Sequence, residues 1–389
     1  MLFVSKDGMK MTVYKNALVY STDSASFIKA DVAEEGGIIT EISDCIGGEN
    51  AVDLSGKYII PGLVDVHTHG RVGCDFDCIT EDEMNKALRS YAENGTTSVM
   101  VTFASTPYED YFNGIKCARA AETDGAAYVA GIHMEGRYLS EAKRGAHALE
   151  LLHLPSVAEL DELLDAIGEL PAHFSIAPEL DGSEAFIRHA VARGATVGIA
   201  HRDATYAQSM AAISWGATSF THTFNAMRGI HHREPGTTSA SLLTDNAYSE
   251  FICDGFHIHP EVIRLASRVK NPDTLVLITD SLSVAGCPDS ECVIGGIPVT
   301  VKDGKAINAE GAIAGSTIAL IDGLRNFIAF TGVRPEIAIR MATRNPAKMV
   351  GAYDKCGSIE VGKRCDMIIT SDIRTIPLDG VIVGGKRVK

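Results

Sequence analysis

The feature that most constrains the fold is a series of short apolar segments between residues 58 and 279, separated by longer stretches of mixed polarity. The eight segments are Tyr58–Val66, Thr97–Phe103, Tyr128–His133, Phe174–Ala177, Thr196–Ala200, Ser219–Thr223, Ser249–Cys253 and Leu275–Thr279. One intervening stretch, Glu81–Glu93, places Met84, Leu88 and Tyr91 on a single helix face. Strands that alternate with amphipathic helices indicate a parallel sheet. The pattern therefore predicts an α/β protein with a TIM (β/α)8 barrel over residues 58–354.

Both ends of the chain depart from this pattern and predict a small β-sandwich-like domain, formed by residues 1–57 and 355–389. Predicted strands are Leu2–Val4, Thr12–Tyr20, Phe27–Val32 and Ile38–Ile42 at one end, and Met367–Thr370 and Gly380–Val383 at the other. After the eighth apolar segment, residues 284–314 predict a hairpin excursion. Two predicted helices, Thr317–Ala329 and Pro335–Val350, then complete the barrel.

The charge balance excludes one broad class of partner. The 35 Lys and Arg residues against 50 Asp and Glu give a formal net charge of −15, and such a surface repels the phosphate backbone of nucleic acids. No apolar run approaches the roughly 20 residues that cross a membrane, and the first residues lack a signal-peptide core. The 9 Cys residues contain no CxxC pair, which is typical of free thiols in a reducing compartment. We therefore expect a cytoplasmic protein that binds neither nucleic acid nor membrane.

Side chains that bind metals recur where the predicted strands end. They are His67 and His69 after the first strand, Glu135 after the third, His201 after the fifth, His222 after the sixth and Asp280 after the eighth. The carboxyl ends of barrel strands surround one site, and residues i and i+2 of a strand share a face. Imidazole and carboxylate ligands suit zinc, iron, cobalt or manganese. The sequence thus predicts a site for a divalent metal.

Segments around these residues resemble a known family. They are PGLVDVHTHG at 61–70, GIHMEG at 131–136, THTFNAM at 221–227, REPG at 233–236, DGFH at 254–257 and TD at 279–280. The first resembles the opening of the amidohydrolase superfamily, and the others are similar to its N-acetylglucosamine-6-phosphate deacetylase branch. The resemblance spans nearly the whole chain. It implies metal-dependent hydrolysis of the N-acetyl group of N-acetylglucosamine 6-phosphate to glucosamine 6-phosphate and acetate, in amino-sugar catabolism.

The resemblance also implies roles for the residues at the strand ends. Glu135, His201 and His222 would hold one ion. His67 and His69 would add a second ion, which Glu135 bridges and Asp280 approaches. Ligand type leaves zinc and iron unseparated, with cobalt or manganese as alternatives. Asp280 would be the catalytic base and acid that takes a proton from the attacking water and returns it to the departing amine.

A second set of residues is implied for the phosphorylated sugar. Arg233, His257 and the backbone of Asn225 and Ala226 would bind the phosphate, and His147 would contact the sugar. In relatives this arginine can come from the neighbouring subunit, so the resemblance implies a homodimer. The neighbouring His231 and His232 are expected to be solvated.

Two departures from the family pattern leave the sugar open. Residues 135–138 read Glu-Gly-Arg-Tyr instead of Glu-Gly-Pro-aromatic, so that Arg137 either contacts substrate or pairs with an acid. Ser281-Leu282-Ser283 stands where relatives often carry an alanine-rich segment. N-acetylgalactosamine 6-phosphate is therefore an alternative substrate. A cyclic-amide hydrolase is disfavoured because no lysine ends the third or fourth strand, and a non-catalytic scaffold is disfavoured because every candidate metal ligand is retained.

Overall fold

Eight parallel strands form the central sheet, each paired with the next in chain order. Barrel strands 1 to 8 are Leu63–Asp65, Thr96–Phe103, Tyr128–Met134, Ala172–Ile176, Thr196–Ile199, Ser219–Phe220, Tyr248–Ile252 and Leu275–Ile278. Strands 1 and 8 meet at their carboxyl ends, where Thr68 bridges Ser281 and the Asp280 N–H donates to the His67 carbonyl at 2.8 Å. The predicted TIM barrel is confirmed. This computed structural model describes residues 11–289, 291–294, 297–309, 311 and 313–389, so the predicted strand Leu2–Val4 lies outside the described residues.

Helices follow most of the strands and cover the barrel. The α-helices are Glu81–Glu93, Tyr108–Arg119, Val157–Ile167, Ser183–Ala192, Tyr206–Trp215, Gly236–Leu243, Pro260–Val269, Leu320–Thr331, Pro335–Met341 and Arg344–Met349. Glu81–Glu93 has the predicted bounds because a capping box starts it. The Thr80 hydroxyl accepts the Glu83 N–H, and the Glu83 carboxylate accepts the Thr80 N–H. The predicted helix Pro335–Val350 is instead two helices, because Thr343 leaves helical geometry at φ −134° and ψ −84°.

Strands from both chain ends make one further sheet, which confirms the two-ended β domain. Its strands are Thr12–Ser21, Ser26–Glu35, Ile38–Ser43, Ala51–Asp53, Tyr58–Pro61, Met367–Thr370, Gly380–Val383 and Lys386–Arg387. Tyr58–Pro61 lies at the centre, parallel to Thr12–Ser21 and antiparallel to Met367–Thr370. The bounds 1–57, 58–354 and 355–389 stay a prediction, although these pairings place residues 58–61 in the terminal sheet.

The predicted first barrel segment, Tyr58–Val66, is therefore wrong as a single strand. Its first part belongs to the terminal sheet, and Leu63–Asp65 alone enters the barrel. The chain passes between the two sheets at Gly62, where an added Cβ would lie 2.1 Å from Thr97 Oγ1. Only glycine fits this close approach.

The excursion after strand 8 is a small antiparallel sheet made of Glu291–Ile294, Ile297–Lys302 and Lys305–Asn308. A further two-stranded ribbon, Gly70–Arg71 with Cys74–Asp75, and short 3-10 turns at Phe76–Cys78, Glu141–Lys143 and Leu149–Leu151 complete the described elements. The excursion packs Val299 and Val301 against Leu282 and Val284. It thus stands beside the carboxyl end of the barrel. Among the helices built from described residues, none combines the length and the hydropathy needed to cross a bilayer.

Candidate active site

A cavity of about 420 Å³ opens at the carboxyl ends of the barrel strands, as the strand-end argument predicts. Most of the residues singled out from the sequence line it: His69, Glu135, His147, His201, His222, Asn225, Ala226, His257 and Asp280. His67 lies directly beneath, with no solvent exposure. The structure therefore brings together residues from six of the barrel's strand ends and their loops.

The two histidines after strand 1 converge on one oxygen. His67 Nε2 lies 2.9 Å and His69 Nε2 3.0 Å from Glu135 Oε2. Asp280 Oδ1 lies 3.6 Å from His67 Nε2 and 3.3 Å from His69 Nε2. The i, i+2 spacing places both rings on the same face, as expected. Ligand atoms of these four residues all lie within 4.8 Å of one another.

Glu135 joins this group to a second pair of histidines. Its other oxygen, Oε1, lies 2.9 Å from His222 Nε2 and 3.4 Å from His201 Nε2. One buried carboxylate therefore faces two histidine pairs, one on each oxygen. Such a bridge is the arrangement expected when a carboxylate is shared between two neighbouring cation positions.

Three of the strand-end residues have backbone conformations that side chains rarely adopt. His201, His222 and Asp280 have φ values of +38°, +29° and +49°. Each such residue costs about 1–3 kcal/mol unless the surrounding structure holds it in place. Strain of this kind collects at functional sites, and here it turns the side chains toward the cavity.

The charges in the site balance only if the histidines are cationic or a cation replaces their protons. Burial alone would raise the pKa of Asp280, but His67 and His69 outweigh it and hold that pKa at about 2. Burial would lower the pKa of His69, but Asp280 and Glu135 raise it to about 10. Two carboxylates thus attract positive charge to one point. A divalent ion satisfies the same attraction while displacing protons from the ligands.

Hydrogen bonds on the outer side of two rings fix which nitrogen faces the cavity. His201 Nδ1 lies 2.8 Å from the Lys143 carbonyl, and His222 Nδ1 lies 3.3 Å from the Asn225 carbonyl. Because a carbonyl only accepts, each Nδ1 carries the proton and each Nε2 turns its lone pair inward. Inward lone pairs beside two carboxylates are the donor set of a metal site, so the residues present fit a divalent ion.

His147 presents a proton donor to the cavity. Its Nδ1 accepts the Ser105 N–H at 3.2 Å, which leaves the proton on Nε2. Burial lowers the pKa of His147 to about 3, so the ring is neutral near pH 7. His257 also lines the cavity, with its Nδ1 held 2.6 Å from Asp254 Oδ2.

Arg233 is not brought to the cavity of its own chain. It is exposed, and its guanidinium contacts His232 Nε2 at 2.6 Å. His231 and His232 are also exposed, as expected. The cavity's positive side chain is instead Lys143, which is half-buried and lines it. The sequence interpretation missed this lysine, although a Lys-Arg-Gly run just before His147 could have signalled an anion site.

Arg137 pairs with an acid, the second of the two roles considered from the sequence. Its Nη2 donates to Glu159 Oε1 at 3.2 Å, and its guanidinium lies 4.7 Å from the ring centroid of Tyr108. Tyr138 donates to the other oxygen of Glu159 at 2.7 Å. Because the arginine side chain is 7% exposed and is not among the lining residues, it anchors the loop after strand 3 from behind.

Comparison with known proteins gives a consistent result. The profile of the Amidohydrolase family matches residues 58–388. A curated N-acetylglucosamine-6-phosphate deacetylase from Vibrio furnissii is 34% identical over 342 residues, which is 87% of this chain and 86% of that one. A curated N-acetylgalactosamine-6-phosphate deacetylase from Escherichia coli O157:H7 is 33% identical over 321 residues, covering 82% and 85%. The crystal structure of N-acetylglucosamine-6-phosphate deacetylase from Pasteurella multocida matches with a TM-score of 0.90 and 30% identity, covering 97% and 99%.

Proposed function

The chain belongs to the amidohydrolase family, and we propose that it hydrolyses the N-acetyl group of N-acetylglucosamine 6-phosphate to give glucosamine 6-phosphate and acetate. The observation that carries the proposal is that two carboxylates, the buried Glu135 and the partly exposed Asp280, face four imidazoles at an open cavity, with Glu135 shared between both histidine pairs. The relatives named above act on such phosphorylated amino sugars.

The histidines and acids of the site would serve as ligands for divalent metal ions. His67 and His69 would hold one divalent ion, His201 and His222 the other, with Glu135 between them and Asp280 beside the first pair. We propose two ions, zinc or iron, because both histidine pairs are present and both turn Nε2 toward Glu135. When bound, such an ion supplies Lewis-acid activation of water and of the acetyl carbonyl.

Asp280 carries the proton transfers. Its ionised carboxylate accepts a proton from the water that attacks the acetyl carbon, and the carbon–nitrogen bond then breaks as Asp280 returns that proton to the departing nitrogen. The acetyl product keeps the oxygen and the second proton of the water and releases that proton on ionising to acetate, and the amino sugar keeps the first proton. We assign His147 to the sugar as a neutral donor, since its ring lines the cavity and its Nε2 carries the proton.

Binding of the phosphate needs local positive charge on a protein with a net charge of −15. We assign it to Lys143, His257 and the backbone of Asn225 and Ala226, all of which line the cavity. Arg233 faces solvent in its own chain, so we assign it to the cavity of a second copy in a homodimer, where its planar fork suits a phosphate.

We also place the reaction in the cytoplasm. The cysteines that the structure describes, namely Cys45, Cys74, Cys78, Cys117, Cys253, Cys287, Cys356 and Cys365, are all unpaired. Free thiols of this number are typical of a reducing compartment.

The galacto epimer is the second candidate, favoured by the Escherichia coli relative, whose identity of 33% nearly equals the 34% of the Vibrio one. Steady-state acetate release from the two 6-phosphates, with metal-replete protein, separates the candidates. We expect a higher kcat/KM for the gluco substrate, and unphosphorylated N-acetylglucosamine serves as the control for the phosphate. Faster turnover of the galacto substrate would reverse the assignment, and release from neither would refute the deacetylase proposal.

A further inference from the structure

Glu250 is a buried acid that the reaction proposed above does not use. It lies in barrel strand 7, Tyr248–Ile252, among residues that are otherwise apolar or small, and its exposure is 0%. An ionised carboxylate with no contact to water costs several kcal/mol unless partners compensate for it. The contacts of Glu250 show which groups compensate for its burial.

One oxygen of Glu250 contacts both halves of the proposed metal site. Oε2 lies 3.1 Å from His67 Nδ1 and accepts the backbone N–H of His222 at 3.1 Å. The ring of His67 therefore has a carboxylate on each side, with Glu250 at Nδ1 and Glu135 at Nε2, 2.9 Å away. Of the four imidazoles proposed as metal ligands, His67 is the only one whose outer nitrogen meets a carboxylate among the described residues.

The surroundings supply a countercharge for Glu250. The carboxylates of Glu179 and Glu250 both favour the charge of the Arg202 guanidinium, which burial opposes. Arg202 is itself fully buried and donates to the Thr221 carbonyl at 3.1 Å.

We propose that Glu250 is a positioning residue for the metal site, which holds His67 with its proton on Nδ1 and its Nε2 lone pair turned to the ion shared with His69 and Glu135. This inference rests on the metal site of the proposed function. An ionised carboxylate behind a ligand imidazole fixes its orientation and increases its basicity, and losing such a partner lowers metal affinity by about 10–100-fold. Its bond to His222 involves the backbone only, so among the proposed ligand rings the carboxylate acts directly on His67.

The test compares Zn²⁺ affinity, measured by competition with a chromogenic chelator, in wild-type protein and Glu250→Gln. The amide oxygen of glutamine still accepts from His67 Nδ1 and from the His222 N–H, so the variant removes charge while keeping shape. We expect the dissociation constant of one Zn²⁺ ion to rise by about 10–100-fold. This should be the same ion that is lost in His67→Asn. Wild-type affinity in a folded Glu250→Gln protein would overturn the proposal.

Glu179→Gln is the matched control. Glu179 also opposes the effect of burial on Arg202, but its oxygen accepts the Asp203 N–H and no hydrogen bond joins it to the four imidazoles among the described contacts. We expect its Zn²⁺ affinity to stay within twofold of wild type. An equal loss in Glu179→Gln and Glu250→Gln would show that the effect comes from the countercharge of Arg202, and would overturn the specific role of Glu250.

A double variant separates positioning from general damage. In a His67→Asn background, adding Glu250→Gln should change the affinity of the remaining ion by less than twofold, because its target ring is gone. A further tenfold loss in that background would mean that Glu250 acts elsewhere, and the proposal would fall. If Glu250→Gln does not fold, Glu250→Asp keeps the charge but withdraws the carboxylate from His67, and the same loss is expected. Zn²⁺ binding is measured without substrate. A protein that binds Zn²⁺ but releases no acetate would therefore refute the deacetylase proposal, while the role of Glu250 could still be tested.

Discussion

Replacing Asp280 with asparagine isolates the proton transfer from the architecture of the site. Asp280 has a φ of +49°, a region that asparagine adopts more readily than most residues. Its backbone N–H donates to the His67 carbonyl at 2.8 Å, and its carbonyl accepts the Ser316 N–H at 2.7 Å. Both bonds are unaffected by the change. Asp280→Asn therefore keeps size and backbone while it removes the charge and the proton acceptor.

The expected loss of rate follows from the role assigned to the carboxylate. A positioned acid or base contributes about 10²–10⁴-fold, which corresponds to about 3–5.5 kcal/mol of transition-state stabilisation. Metal content should be largely retained, because Glu135 and the four imidazoles remain in place. We therefore expect kcat to fall by about 10²–10⁴-fold in a protein that still holds its ions.

The assay is steady-state acetate release from N-acetylglucosamine 6-phosphate, with metal content measured on the same samples by elemental analysis. Asp303→Asn is the matched control, since Asp303 has a similar φ of +52° in an exposed turn and does not line the cavity. It should keep the wild-type rate. A kcat within tenfold of wild type in metal-loaded Asp280→Asn would show that another group transfers the proton.

Three further predictions concern binding, assembly and stability. Lys143→Met should raise KM for the phosphorylated substrate by about tenfold with little change in kcat, as expected when binding is lost equally in ground and transition states. Lys116→Met, at an exposed position, is the control. An unchanged KM in Lys143→Met would exclude Lys143 from the phosphate site. When the Arg233→Ala and Asp280→Asn proteins are mixed, activity should recover after subunit exchange. In a hybrid dimer, one site combines the intact Asp280 of one subunit with the intact Arg233 of the other. No recovery would place Arg233 outside the neighbouring site. Burial lowers the pKa of His173 to about 4. Below about pH 6.5 the unfolded chain therefore binds a proton at this residue that the folded protein does not bind. The free energy of unfolding should fall toward pH 4 by up to about 1.4 kcal/mol per pH unit. Denaturant unfolding of His173→Asn should show a shallower loss between these pH values, and an identical slope would contradict the assignment.

The barrel was predictable because its strands are buried on both faces and so appear as continuous apolar runs. The same property hid the boundary at Gly62, since Tyr58–Pro61 and Leu63–Asp65 are apolar in two different sheets. Apolar character reports burial and does not report which neighbour a strand pairs with.

The cluster at the strand ends was predictable because imidazoles and carboxylates recur at several strand ends, and those ends surround one site. Glu250 was not, because it sits singly inside an apolar strand and its partner His67 lies 183 residues away along the chain. Lys143 was missed for a similar reason, since a short 3-10 turn carries no periodic signal that would aim a side chain. Arg233 is exposed in its own chain, and the proposal that it enters the cavity of a second copy concerns an interface that one sequence alone does not describe.

The central position of Tyr58–Pro61 in the terminal sheet has a consequence for how the chain is made. Its neighbour Met367–Thr370 pairs with it residue by residue, Ile60 opposite Ile368, so one edge of this strand stays unpaired until about 300 more residues have been synthesised. At roughly 5–20 residues per second that interval lasts about 15–60 s on the ribosome. During that time the nascent protein exposes an apolar strand edge of the kind that templates aggregation. Completion of the terminal sheet is therefore a late event, and the emerging chain is at its most vulnerable to misassembly, and most in need of a chaperone, before its last strands appear.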